Sequence, residues 1–91
     1  MVGVRCKPDG EGWVCEVMVD QGGGHTVHTV TVIASDLDRW AGGRGQEEAE
    51  ELVVRSFDFL LQREPPTSIM RRFNLSVIQS YFPEYDRHFK R

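Results

Sequence analysis

Apolar and polar residues alternate singly through the first third of the chain and recur at helical spacing through its middle. Val2, Val4 and Cys6 alternate with Gly3, Arg5 and Lys7, the period of a half-buried strand. Pro8-Asp9-Gly10 supplies turn chemistry, because proline fixes φ and glycine accepts a positive φ. Trp13, Cys15, Val17 and Val19 then share one face of a second strand, with Glu16 and Asp20 on the other, so the two segments read as a hairpin. A second turn at residues 21–24 leads into His25 to Ile33, rich in the Thr and Val that suit a pleated surface. The alternation there is imperfect: Val30 and Val32 share one face, Val27 and Ile33 the other. A bulge, or burial of both faces, accounts for such a pattern. Residues 1–33 are thus predicted to form a three-stranded antiparallel β-meander.

The period then changes. Ser35 or Asp36 can cap a short turn carrying Leu37 and Trp40, and Gly42-Gly43-Arg44-Gly45 breaks it. A long helix is predicted over residues 46–63, opened by Glu47, Glu48, Glu50 and Glu51 at the positive end of the helix dipole and closed by Pro65-Pro66. Ala49, Leu52, Val53, Val54, Phe57, Phe59, Leu60 and Leu61 cover an arc of about 220° on this helix at 100° per residue. One-sided packing needs little more than 100°, so something besides the meander must cover it.

Residues 66–91 are expected to form two short helices and an aromatic tail. Ile69, Met70 and Phe73 make a brief helical stripe that Asn74 can close in the left-handed conformation. Ser76-Val77-Ile78-Gln79 has the form of a capping box, and Pro83 stops its helix at Phe82. Phe73, Tyr81, Phe82, Tyr85 and Phe89 are more than half of the aromatic residues in the chain, so the tail packs against something. Strands grouped first and helices last give an α+β fold in a single domain, 1–91.

Composition narrows the function. The 91 residues, 40% apolar and 27% charged, are those of an ordinary globular domain. A net charge of −3 and a pI near 5.5 argue against a protein that coats nucleic acid. No apolar run approaches a membrane span and no leader pattern follows Met1, so a cytoplasmic protein without membrane contact is expected. In that setting Cys6 and Cys15 read as two buried thiols, although they share a strand face and a disulfide between them is sterically open.

Each candidate chemical motif has a plainer reading. His25 and His28 sit at i, i+3, which on a strand directs them to opposite faces, so no metal site is expected. The glycine runs at 22–24 and 42–45 match neither a P-loop nor a dinucleotide fingerprint, and acidic residues already occupy the helix start after the second. Glu47, Glu48 and Glu51 fall on the polar arc, and no nucleophile-elbow pattern occurs. The reading is therefore a non-enzyme with no cofactor.

Two functions follow. The first is an interaction module, most simply a homodimer, using Val54, Phe57, Leu61, Tyr81, Phe82, Tyr85 and Phe89; the partner is a second copy or another protein. The alternative is a nucleic-acid-associated or antitoxin-like regulator using Arg71, Arg72, Arg87, Lys90 and Arg91, since the segment from Pro66 onward is locally basic. The order of an opening hairpin and a later helix resembles the small nuclease-derived antitoxins of HicB type, in architecture alone. Their glycine-rich strand and immediately following helix are replaced here by the Thr-Val strand and the Gly42–Gly45 break, and no functional residue carries over.

Overall fold

Two tight hairpin loops set the sheet. In the computed structural model, which describes residues 1–90, β1 (Val2–Asp9) and β2 (Gly12–Gln21) pair antiparallel with Cys6 opposite Cys15. Gly10, the first of the two loop residues, has φ of 62°, the sign that a type II′ hairpin needs there. β3 (Gly24–Val32) pairs with β2 across Gly22 and Gly23, at φ of 61° and 81°, as a type I′ loop requires. Pro8 lies inside β1 rather than in the turn, tolerated because β1 is an edge strand.

The register from β2 to β3 is unbroken from Trp13↔Val32 to Gln21↔Gly24, so there is no bulge. Nor are both faces of β3 covered. Thr26, His28, Val30 and Val32 face inward, whereas Val27 stays exposed and Ile33 lies beyond the strand in solvent. The irregular alternation comes from a histidine placed in the core.

After β3 come α1 (Ala34–Trp40) and α2 (Gln46–Leu61). Asp36 is the capping carboxylate of α1, accepting the Ile33 backbone N–H at 3.1 Å. Buried, it carries a pKa raised by desolvation, against which the Ile33 hydrogen bond and Arg39 act. The long helix lies mainly over β1 and ends two residues before the predicted limit, with Gln62 as its cap.

The segment after Pro65-Pro66 departs from expectation. Pro66–Ser68 is a 3₁₀ turn, and Arg72–Asn74 is a strand, β4, parallel to β3. The Thr29 N–H donates to the Arg71 carbonyl at 2.7 Å and the Leu75 N–H to the Thr31 carbonyl at 2.9 Å. Phe73 is thereby set against Phe57, with ring centroids 6.1 Å apart. A ladder with unpaired β3 outweighs one turn of local helical periodicity. Asn74 is not left-handed, since no residue other than glycine among those described has positive φ.

α3 (Val77–Tyr81) and α4 (Glu84–Phe89) follow on either side of Pro83. Ser76 precedes α3 in helical geometry and its hydroxyl caps nothing, because a capping side chain needs an extended backbone at that position. The sheet order is β1-β2-β3-β4, three strands antiparallel and the last parallel, with the helices on one face: an α+β fold. No helix in the described residues is long and apolar enough to cross a membrane.

Candidate interaction surface

The wide apolar arc of α2 is covered chiefly from within the chain. Val53 and Phe57 pack in the core shared with the sheet, and Phe59 turns to the tail, where Phe82, Tyr85, His88 and Phe89 lie 5.3–6.0 Å from its ring centroid. Tyr85 stacks on Phe89 at 4.3 Å and meets Trp40 edge-on at 5.0 Å. The accessible surface is 5455 Å², against about 5,400 Å² expected for a folded monomer of this mass. The cover that the arc requires besides the meander is thus supplied largely by the chain's own tail. Phe57, Tyr85 and Phe89 are buried in the core and cannot meet a partner, because the tail folds back as α4. Of the residues expected at an interface, Val54, Leu61 and Phe82 are half-buried and Tyr81 is exposed.

Polar groups inside this core are matched. The Ser56 hydroxyl donates to the Leu52 carbonyl at 2.7 Å, so the Tyr85 hydroxyl must be the donor in their 2.6 Å hydrogen bond. Burial pushes the Tyr85 phenol well above its ordinary range, which keeps it a donor. Trp40 Nε1 donates to Asp86 at 2.9 Å, tying α1 to α4. His28 Nδ1 donates to the Met70 carbonyl at 2.7 Å, and its Nε2 lies 2.9 Å from the Thr26 hydroxyl. That histidine fixes the approach to β4, while His25, on the opposite face, pairs with Asp20 at 2.7 Å. Among the described residues no three His, Cys, Asp or Glu side chains gather as metal ligands.

Cys6 and Cys15 form a disulfide, contrary to the expectation of two free thiols. Their direct cross-strand pairing brings the Cα atoms to 4.0 Å, which the sequence reading allowed without favouring. The basic residues do not gather. Arg72 alternates with inward-facing Phe73 and so lies on the open face of the sheet beside Thr29, with Thr29 and Glu16 separating it from Arg5 in the same cross-strand row, and exposed Arg71 immediately precedes β4. Arg87 and Lys90 belong to α4 and its cap, on the helical side; Arg91 lies outside the described residues.

Besides Met18 and Val27, exposed opposite each other on the open face of the sheet, two surface features stand out among the described residues. One is a cleft of about 260 Å³ between the end of α2, residues 68–70 and α3, lined by Leu60, Ile69, Met70, Ile78 and Tyr81. It falls below the roughly 300 Å³ at which small-molecule pockets begin. The other is the free edge of β1. Met1 and Asp20 exchange backbone hydrogen bonds of 2.6 and 2.9 Å, which makes the odd residues of β1 the ones bonded to β2. The even residues, Val2, Val4, Cys6 and Pro8, turn their backbone groups outward. Pro8 has no N–H. Cys6 is guarded by α2: its N–H donates to Glu50 at 3.0 Å and its carbonyl accepts from the Gln46 amide at 3.1 Å. Val2 and Val4 find no such partner among the described residues.

One turn after Glu50 on the same flank of α2 stands Val54, and Leu61 lies beside Val2 and Met1 at the far end of the edge. Polar side chains thus close one half of the β1 edge, and half-buried apolar ones border the other. No signal in the sequence marks this edge, because which strand ends a sheet depends on pairings between distant segments. No family model, curated protein or solved structure matches the chain.

Proposed function

We propose that this protein is an interaction module rather than an enzyme, and that it binds another protein chain by strand addition at the free half of the β1 edge. The observation that carries the reading is the outward-facing, unmatched backbone of Val2 and Val4 beside half-buried Val54 and Leu61. An exposed edge with free N–H and C=O groups is a template for pairing, and apolar side chains beside it give the added strand something to pack on. Sheets that must avoid such pairing carry charge, bulges or cover at their edges. Here that cover stops at Cys6.

The test is Val4→Pro, which deletes an N–H that bonds to nothing within the chain and so is tolerated on an edge strand. The variant should keep its fold by circular dichroism yet lose the associations of the wild type, whether with itself or with another chain. Association unchanged in a folded Val4→Pro protein, and unchanged again in Val54→Asp, would remove the reading.

A further inference from the structure

We infer that the strand added to β1 is the β1 of a second copy, running antiparallel about a two-fold axis at Gly3, with Val2 of each copy opposite Val4 of the other. The inference rests on strand addition at this edge and names the partner and the register.

Two-fold antiparallel pairing of a strand with itself requires the numbers of facing residues to have a constant sum, and only residues whose backbone faces outward can exchange hydrogen bonds. With Gly3 on the axis, Val2 faces Val4 and Val4 faces Val2, and all four outward valines of the two copies are used. Shifting the axis to Val4 sets Val2 against Cys6, whose N–H and carbonyl are already held by Glu50 and Gln46. That register loses half of its ladder. Moving the axis to Arg5 opposes two arginines directly and again needs Cys6. The side chains of α2 therefore act as a register stop.

Side chains agree with the same register. Val2 and Val4 lie on the core face of β1, paired in register with Val19 and Val17 of β2, so the new cross-strand pairs are valine on valine. Because the axis is perpendicular to the sheet, both copies present their helices on the same side, and the flanks carrying Val54 and Leu61 approach each other. On the open face, Gly3 meets Gly3 without a side chain between them, and a Cβ added there touches nothing within 4 Å inside the chain.

That last fact supplies the test. In a non-hydrogen-bonded antiparallel pair the facing Cα atoms are about 4.5 Å apart, within the span of a disulfide. Gly3→Cys should therefore give a covalent dimer in oxidising buffer, seen by non-reducing electrophoresis and intact mass. Val4→Cys and Arg5→Cys, which face themselves only in the two rejected registers, should not. Both native cysteines are bonded to each other on the opposite face and do not compete. In wild-type protein the Val2 and Val4 amides should exchange about tenfold more slowly when concentration is raised through the dimer dissociation constant, while Arg5, bonded to β2, should be unaffected.

A Val4→Cys dimer in place of a Gly3→Cys dimer overturns the register. A wild type that sediments as a monomer at millimolar concentration, with Val2 and Val4 exchange independent of concentration, overturns self-pairing. In that second case, Val4→Pro-sensitive binding to a different protein would leave strand addition standing, and its absence would take both readings down.

Discussion

Ser56 and Tyr85 are the point at which the tail is locked onto the long helix, and their chemistry predicts an unequal response to deleting either one. The Ser56 hydroxyl has a single proton, used on the Leu52 carbonyl, so the Tyr85 hydroxyl donates to Ser56. Tyr85→Phe removes the donor and leaves Ser56 still satisfied as a donor; the cost is one net hydrogen bond, about 0.5–1.5 kcal/mol. Ser56→Ala strands the Tyr85 donor in a site with 0% exposure, costing about 1–3 kcal/mol, from which better helix propensity returns about 0.5 kcal/mol. In the double variant nothing polar is left behind. It should be no less stable than Ser56→Ala alone, with a coupling of about 1–2 kcal/mol. At about 4–8 °C of Tm per kcal/mol for a domain of this size, the differences are resolved by thermal and urea unfolding followed by circular dichroism. The raised phenol pKa adds a pH signature. Since the folded state favours the neutral phenol, stability should fall as pH rises above the ordinary tyrosine range, and this loss should vanish in Tyr85→Phe. Strictly additive single costs, or Tyr85→Phe less stable than Ser56→Ala, would refute the assigned donor direction.

Three further outcomes follow from the packing. Asp36→Asn keeps an acceptor for the Ile33 N–H while removing a buried charge; because burial raises the native carboxyl pKa, the wild type gains stability as pH falls, so the variant's advantage should be largest at pH 7 and shrink toward pH 4 in urea titrations. Reduction of the disulfide joining residues nine apart should cost about 2–3 kcal/mol by the loop-entropy relation, read as a lower Tm, with no titratable thiol before reductant is added. Deletion of residues 81–91 removes buried Tyr85 and Phe89, each covering about 150–250 Å² at ~25 cal/mol per Å². That loss rivals the ~5–15 kcal/mol of a whole domain, so the truncated chain should show no cooperative unfolding transition in the same assay.

The parts of the fold legible in the sequence are those fixed by local periodicity. Strict alternation at Val2, Val4 and Cys6 and at Trp13 to Val19 placed two strands correctly, and the helical recurrence from Ala49 to Leu60 placed α2 within two residues. Where a distant partner decides the outcome, periodicity misleads. Ile69, Met70 and Phe73 have helical spacing, yet the open backbone of β3 draws residues 72–74 into a parallel strand. His28 breaks the alternation of β3 because the Met70 carbonyl, 42 residues away, makes a histidine acceptable in the core. The tail aromatics were visible as a group that must pack. Their target, Phe59, was not, since a wide apolar arc on a helix says that it is covered twice and not by whom.

The same reasoning explains why only part of the candidate surface could be read. Val54 and Leu61 stand on the margin of the apolar arc, and position on that margin is a sequence property. The backbone of Val2 and Val4 is different, because a strand reads alike in sequence whether it lies inside a sheet or at its rim. Only the full pairing order puts β1 at the rim, and only the reach of Gln46 and Glu50 shows that the rim is closed at Cys6 and open before it. A helix that spends two polar side chains on one edge residue and then turns apolar over the next two strand positions divides the edge by chemistry. In the proposed self-pairing, the divided edge offers one register that uses both free valines of each copy, and the two α2 side chains that hold Cys6 close the registers beyond it.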